Sequence, residues 1–169
     1  YMIDPKVSII VAVYNVSLFL RETIESVISQ DIGFENIQLI LVDDGSKDNS
    51  GAICDEYAEK YPNVIAVHQE NRGVTAARLA GVAAASREWI GFVDSDDAVD
   101  PGMYAHLLEN ARKEGADLSH CGHQTLFPDG RVVYVHNTGN LFGGGGVDGF
   151  HQGVGMGRAE DLHHQGVLG

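Results

Sequence analysis

The chain is 169 residues long and carries 24 acidic against 11 basic side chains, a formal net charge of −13. That balance argues against general affinity for nucleic acid or an anionic membrane surface, but leaves room for a phosphate ligand held by a metal or a few local bases. With 44% hydrophobic and 21% charged residues, the composition is that of a globular protein of one domain, or one domain with an appendage, able to bury a core.

After a short lead containing Pro5, residues 7–14 (VSIIVAVY) are rich in β-branched side chains and predict a strand ending at Tyr14-Asn15. Ser17 is placed to cap a helix running to about Gln30, with Phe19, Ile24, Val27 and Ile28 near one face. Residues 37–42 (IQLILV) form a second apolar strand ending in Asp43-Asp44-Gly45-Ser46. Asn49 or Ser50 then caps a helix to about Tyr61, closed by Pro62. Val64 to His68 is a short third strand, followed by the polar run Gln69 to Gly73. The helix from Val74 to about Ala85 is rich in alanine, so it propagates well and can lie close against a sheet.

The most informative stretch is Trp89-Ile90-Gly91-Phe92-Val93-Asp94-Ser95-Asp96-Asp97. A buried apolar strand runs straight into three carboxylates within four positions. At about 4 Å and an effective dielectric of about 20, each like-charge pair there costs roughly 4 kcal/mol. A divalent cation relieves that cost, and an all-oxygen site suits Mg²⁺ or Mn²⁺. Asp100 before Pro101 reads instead as a cap for the next helix, which extends to about Glu114. Asp117 to Cys121 is a fifth short strand, and residues 124–135 read as a hairpin turning at Pro128-Asp129-Gly130.

Strands alternating with helices at this spacing predict an α/β fold: a mostly parallel sheet flanked by helices, with a small hairpin. Four successive strands end in polar or acidic residues, so the ligand edge lies beyond their carboxyl ends. From Gly143 the 27 remaining residues hold ten glycines. The expected division is therefore a domain over 1–142 and a glycine-rich tail over 143–169, onto which no secondary structure is forced. Cys54 and Cys121 lack metal-ligand spacing and fit a reducing compartment. Without a membrane-length apolar run or a leader pattern, the expected location is the cytoplasm, or the inner face of the membrane if peripherally tethered.

The stretches VSIIVAVYN, LVDDGSKDNS, ENRGVTAARLAG and GFVDSDDAVDP, in that order, resemble the inverting nucleotide-sugar glycosyltransferases of family 2, which have the Rossmann-like GT-A fold. The resemblance covers residues 6 to about 115. It implies that Tyr14 packs on the nucleotide base beside the backbone of Ala12, where the family often has proline. Asp44, with Asp43 beside it, would accept from the base or ribose. The Asn71-Arg72-Gly73 turn and Arg78 would lie along the nucleotide and its phosphates. Asp94-Ser95-Asp96 matches the Asp-x-Asp motif at ribose and metal-bridged diphosphate, with Asp97 a second metal candidate beside Asp96. The implied partners are a nucleotide-sugar, a UDP-sugar foremost, and a glycan or lipid-linked acceptor, with Mn²⁺ or Mg²⁺ as cofactor.

Plainer readings stand beside these. Asp43 suits a turn-forming acid, Asp48 a solvated or capping one, and Arg78 is equally a helix-surface partner for a nearby acid. His68, His120 and His123 read as structural, and Trp89 as core. The family's catalytic base normally lies downstream in a Glu-Asp pair before a helix; Glu160-Asp161 is the matching pair here, and Asp161 the base candidate. Two rivals remain: an inactive nucleotide-sugar-binding domain of the same fold, and a receiver-type signalling domain. A receiver needs a phosphoacceptor Asp after its third strand, where this chain has His68-Gln69.

Overall fold

The computed structural model describes residues 7–135 and 155–158. Along the chain the elements are β1 (Val7–Val13), α1 (Leu20–Ile28), β2 (Ile37–Asp43), α2 (Ser50–Lys60), β3 (Val64–His68) and α3 (Val74–Ala84). They continue with β4 (Trp89–Asp94), α4 (Met103–Glu114), β5 (Leu118–His120), β6 (His123–Leu126), β7 (Val132–Val135) and β8 (Gly155–Arg158). The main sheet has the order β3-β2-β1-β4-β8-β5, and β6 and β7 form a separate antiparallel pair. This is the α/β architecture expected from the alternation of strands and helices.

The first four strands in the sheet are parallel, with β1 at the centre: Val7 to Val13 pair with Ile37 to Asp43 on one side, and Val7 to Ala12 with Trp89 to Asp94 on the other. The strand order reverses direction between β1 and β4, because β2 and β3 are laid down to one side of β1 before the chain crosses to the other. Such a switch opens a crevice at the carboxyl ends, where adjacent connections leave to opposite faces.

Side chains of β1 alternate between two cores. Val7, Ile9, Val11 and Val13 pack with Leu20, Ile24, Ile53, Tyr57, Tyr104 and Leu107 from α1, α2 and α4. Ile10 faces the other side, with Ile40, Val42, Ala77, Val82 and Ile90. Thus α3 covers one face of the sheet and the three remaining helices cover the other. The alanine content of α3 matters here, and so does Gly81, since a Cβ at that position would collide with the Ile10 side chain.

The structure corrects several local expectations. Ser17 does not cap α1: the helix starts at Leu20 after Phe19, and no side chain caps it. The amide of Ser17 instead donates to Asp48 Oδ2 at 3.0 Å. Neither Asn49 nor Ser50 caps α2 through its side chain, Ser50 being the first helical residue. Asp100 accepts from Gly102 N at 2.9 Å, which closes a turn ahead of α4 rather than starting it at Pro101. Within the glycine-rich tail, Gly155–Arg158 is a strand, antiparallel to both β4 and β5 and lying between them. No apolar periodicity marks it because one buried residue, Met156, is enough to face the core. Gly143–Gly146, Asp161 and His163-His164 lie outside the described residues.

Replacing Gly81 with valine inserts side-chain volume where α3 touches Ile10. We expect Gly81→Val to lower unfolding free energy by about 1–3 kcal/mol, the usual cost of overpacking, as read from the urea midpoint. An unchanged midpoint would mean that α3 does not lie this close to the sheet.

Candidate functional site

A cleft of about 410 Å³ opens at the carboxyl ends of β1 and β4. Of the residues singled out in the sequence, Ala12, Tyr14, Asp44, Asn71, Asp94, Ser95 and Asp96 line it. Val13, Gly73, Val74 and Ala77 complete the wall. The last two escaped the sequence reading because an apolar residue at a helix start looks like core. Their value is spatial: Ala77 is small and fully buried, letting the cleft run down beside α3.

Asp44 is almost fully buried behind the cleft. Its Oδ1 accepts from Gln69 Nε2 at 2.7 Å and from the amide of Arg72 at 2.9 Å; its Oδ2 accepts from the amide of Gly73 at 2.8 Å. Burial pushes its pKa up, but these three hydrogen bonds outweigh burial and hold the carboxyl below its ordinary range. A carboxylate offers about four lone-pair sites, so little acceptor capacity is left on Asp44. Its main work is to fold residues 69–73 back onto β2 and set the start of α3, where Gly73 sits at φ 91°.

Asp43, its neighbour, points elsewhere. Its Oδ1 accepts from the amide of Ser46 at 3.0 Å, and its Oδ2 lies 3.0 Å from His68 Nδ1. It is therefore the turn-forming acid, beneath α2 rather than on the cleft wall. His68 Nε2 in turn lies 2.8 Å from Asp55 Oδ1. Hydrogen bonds to Asp43 and then Asp55 raise the His68 pKa above its ordinary value, against the pull of burial. Burial also works against Asp43, but Ser46 and His68 prevail and depress its carboxyl. A histidine with two carboxylates at the end of the third strand is not a phosphoacceptor site, so the receiver-type reading fails here.

The acids after β4 sit on a tight turn in which Asp97 N donates to the carbonyl of Asp94 at 3.1 Å. Helix α1 holds this segment from below through a polar stripe that the sequence reading missed. Thr23 Oγ1 donates to Ser95 O at 2.9 Å, Ser26 Oγ accepts from Val99 N at 3.1 Å, and Gln30 Nε2 donates to Asp100 O at 2.8 Å. Thr23 and Ser26, three residues apart, share one face of α1, and Gln30 stands two residues beyond the helix end. Arg78, from α3, donates to Asp94 Oδ1 at 2.8 Å and lies over the Phe92 ring. Arg78 thus pairs with an acid, as the plainer reading has it, and that acid lines the cleft while Arg78 itself does not. Arg72 contributes its backbone amide to Asp44, with its side chain exposed.

Asp97 is the electrostatic outlier of the turn. Partial burial pushes its pKa up, Asp94 and Asp96 push it further, and His123 pulls it back. Three carboxylates so close on one turn are oxygen donors of the kind that suits a hard divalent cation. Among the described residues no group of three or more His, Cys, Asp or Glu side chains is placed to hold a metal ion. Mg²⁺ and Mn²⁺ commonly take one or two carboxylates and fill the shell with water and substrate phosphates. Asp94 is engaged by Arg78, so Asp96 and Asp97 are the carboxylates of this turn that could hold such an ion.

The sequence pattern of Glycosyl transferase family 2 matches residues 8–142. The minor teichoic acid biosynthesis protein GgaB of Bacillus subtilis strain 168 is 43% identical over 136 residues, covering 80% of this chain and 15% of that protein. Among solved structures, S. aureus TarS 1-349 in complex with UDP is 27% identical with a TM-score of 0.62, over 67% of this chain and 34% of that one. TarS 1-349 in a further crystal structure superposes at a TM-score of 0.72 over 94% of this chain and 48% of that one, at 22% identity. The mannosyltransferase PcManGT from Pyrobaculum calidifontis, in complex with GDP-Man and Mn²⁺, shares the fold at 21% identity and a TM-score of 0.61, over 74% of this chain and 36% of that one. The chain therefore spans less than half the length of each of these proteins.

The His68 bridge yields a pH dependence. A raised histidine pKa means that the folded state holds the proton more tightly than the unfolded chain. The stabilisation is complete below the unfolded value of about 6.5 and is lost as pH rises through the folded value. Thermal midpoints should therefore fall as pH rises above about 6.5 in the wild type, with a shallower slope in His68→Gln. Parallel profiles for the two proteins would rule out a proton held between Asp43 and Asp55.

Proposed function

The chain belongs to Glycosyl transferase family 2, and from that premise we propose that it binds a UDP-sugar in the cleft and passes the sugar, with inversion, to a hydroxyl on a glycan or lipid-linked acceptor. The observation that carries this reading is the meeting of Tyr14, Asp44 and the acids from Asp94 to Asp96 in one cleft at the strand-order switch. In support, TarS was crystallised with UDP, and GgaB takes part in minor teichoic acid biosynthesis by its name. Polysaccharide or teichoic acid assembly is the setting that suits such relatives. Among the described residues no helix is long and apolar enough to cross a membrane.

In this proposal the half-exposed Tyr14 ring takes the base on its face, and the backbone at Ala12 lies alongside. Asp44 acts chiefly through the turn it holds, presenting Asn71 and the first amides of α3 to the donor. Asp94 meets the ribose, and Arg78 turns from Asp94 towards the phosphates when they arrive. A cation held by Asp96 and Asp97 would supply Lewis-acid neutralisation of the leaving diphosphate. Inversion requires a base that takes the acceptor proton as the hydroxyl attacks the anomeric carbon.

None of the described carboxylates on the cleft or on the acidic turn is spare for that base in this proposal. Asp44 accepts three N–H groups, Asp94 is paired with Arg78, and Asp96 and the neighbouring Asp97 are assigned to the ion. Asp161 remains the proposed base. A second reading has this chain bind donor but transfer weakly. The proposal predicts acceptor-dependent UDP release that disappears in Asp161→Asn; slow release nearly independent of added sugar acceptors would favour the second reading.

Metal binding is tested separately. Replacing Asp96 with asparagine keeps its shape and removes charge that the cation needs. We expect Asp96→Asn to weaken Mn²⁺-dependent UDP binding about tenfold, a change of ~1.4 kcal/mol, with metal-free binding much less affected. Equal losses in calorimetric titrations with and without Mn²⁺ would assign Asp96 to the ribose or to the fold.

A further inference from the structure

The backbone that carries Tyr14 leaves the sheet at Val13, whose carbonyl accepts from Asp44 N at 2.9 Å, and no strand partner follows. Three consecutive amides beyond that point nevertheless have side-chain acceptors from one other loop. Asn15 N donates to Ser46 Oγ at 3.1 Å, Val16 N to Ser50 Oγ at 3.0 Å, and Ser17 N to Asp48 Oδ2 at 3.0 Å. The bonding is reciprocal, because Asn15 Oδ1 accepts from Lys47 N at 2.8 Å. Asp48 also accepts from Ser50 N through Oδ1, at 2.9 Å, which fixes its carboxylate between the two segments. These bonds hold the Asp48 carboxyl well below the usual carboxylate range, the Ser50 contact contributing most.

The conformation held in this way is a strained one. Asn15 is the only non-glycine among the described residues with positive φ, at 51°. Left-handed backbone costs an ordinary L-residue about 1–2 kcal/mol, and asparagine tolerates it best when its side chain bonds locally. The turn at Asn15 directs the chain sharply away from β1 immediately after Tyr14. It thereby decides where the half-exposed Tyr14 ring stands on the cleft wall.

We propose that Ser46, Asp48 and Ser50 are positioning residues that act as a clamp on Asn15, Val16 and Ser17, aiming the Tyr14 ring at the donor base. Side-chain oxygens replace the missing sheet partner for three residues, so the cleft wall is rigid beyond the end of its strand. None of the three touches the cleft, and their effect passes through Tyr14. The inference rests on the donor reading of the cleft.

A double-mutant cycle on UDP affinity in the presence of Mn²⁺ tests it, using Ser46→Ala and Asp48→Ala, each alone and combined with Tyr14→Ala. Neither Ser46 nor Asp48 is buried, so both variants should fold; thermal midpoints and circular dichroism check this, and Ser46→Ala is the milder of the two. Hydrogen exchange should show lost protection at the amides of residues 15–17. With Tyr14 present, each variant should bind UDP about three- to tenfold more weakly, the range expected from one lost hydrogen bond. With Tyr14→Ala the same substitutions should cost less than about twofold. Equal losses in both backgrounds, or unchanged affinity despite lost protection, would overturn the clamp while leaving the donor reading intact. Absence of UDP binding by the wild type would overturn the donor reading, and this inference with it.

Discussion

The buried carboxylate of Asp44 is the interaction on which the cleft depends. It stands at the end of a central strand and receives three N–H groups from residues 69–73. Hydrogen bonds to a charged acceptor contribute about 1.5–3 kcal/mol each, enough together to keep this loop folded back against its natural spread. With the loop in place, α3 starts at Val74 and runs down one face of the sheet, bringing Ala77 beneath the cleft and Arg78 against Asp94. If Asp44 is lost, its partner amides lose their acceptor at the place where the two halves of the site meet.

Charge explains why the rest of the site looks as it does. Asp94, Asp96 and Asp97 crowd one turn, and Arg78 answers only one of them directly. The partly exposed Arg78–Asp94 pair is worth no more than ~1 kcal/mol, weak enough to exchange for a stronger anion. The charge crowded on Asp96 and Asp97 is tolerable because the turn is held mechanically by Thr23 and Ser26 of α1 and by Gln30 just beyond it. Acidic side chains that repel one another need such a scaffold if they are to stay poised for a cation. The proposed diphosphate would be compatible with a strongly acidic chain if a cation mediated between the two.

The parallel sheet and its ligand edge were legible in the sequence because buried strands read as apolar runs and their polar ends stand out. Asp43 and Asp44 show the limit of that legibility. Adjacent residues in extended backbone point to opposite faces, so two identical side chains divide between a turn under α2 and the wall of the cleft; in the sequence Asp43 reads both as a turn-forming acid and as a neighbour of Asp44 at the nucleotide, and the structure puts it in the turn. Ser17 shows a second limit: a serine ahead of a helix looks like a cap, yet here its amide is a donor to Asp48, a partner 31 positions away. The strand Gly155–Arg158 was hidden for a third reason. Its place between β4 and β5 is set by tertiary pairing, and a four-residue glycine-containing segment has almost no intrinsic strand preference to reveal it.

The central claim is that the cleft between β1 and β4 receives a nucleotide diphosphate with a divalent cation at the acidic turn. A crystal structure of the chain grown with UDP and Mn²⁺ tests it most directly. The account predicts the uracil against Tyr14 at the end of β1, and the cation between the diphosphate and the carboxylates of Asp96 and Asp97. UDP bound away from Tyr14, or a cation seated with no ligand from residues 94–97, would contradict it.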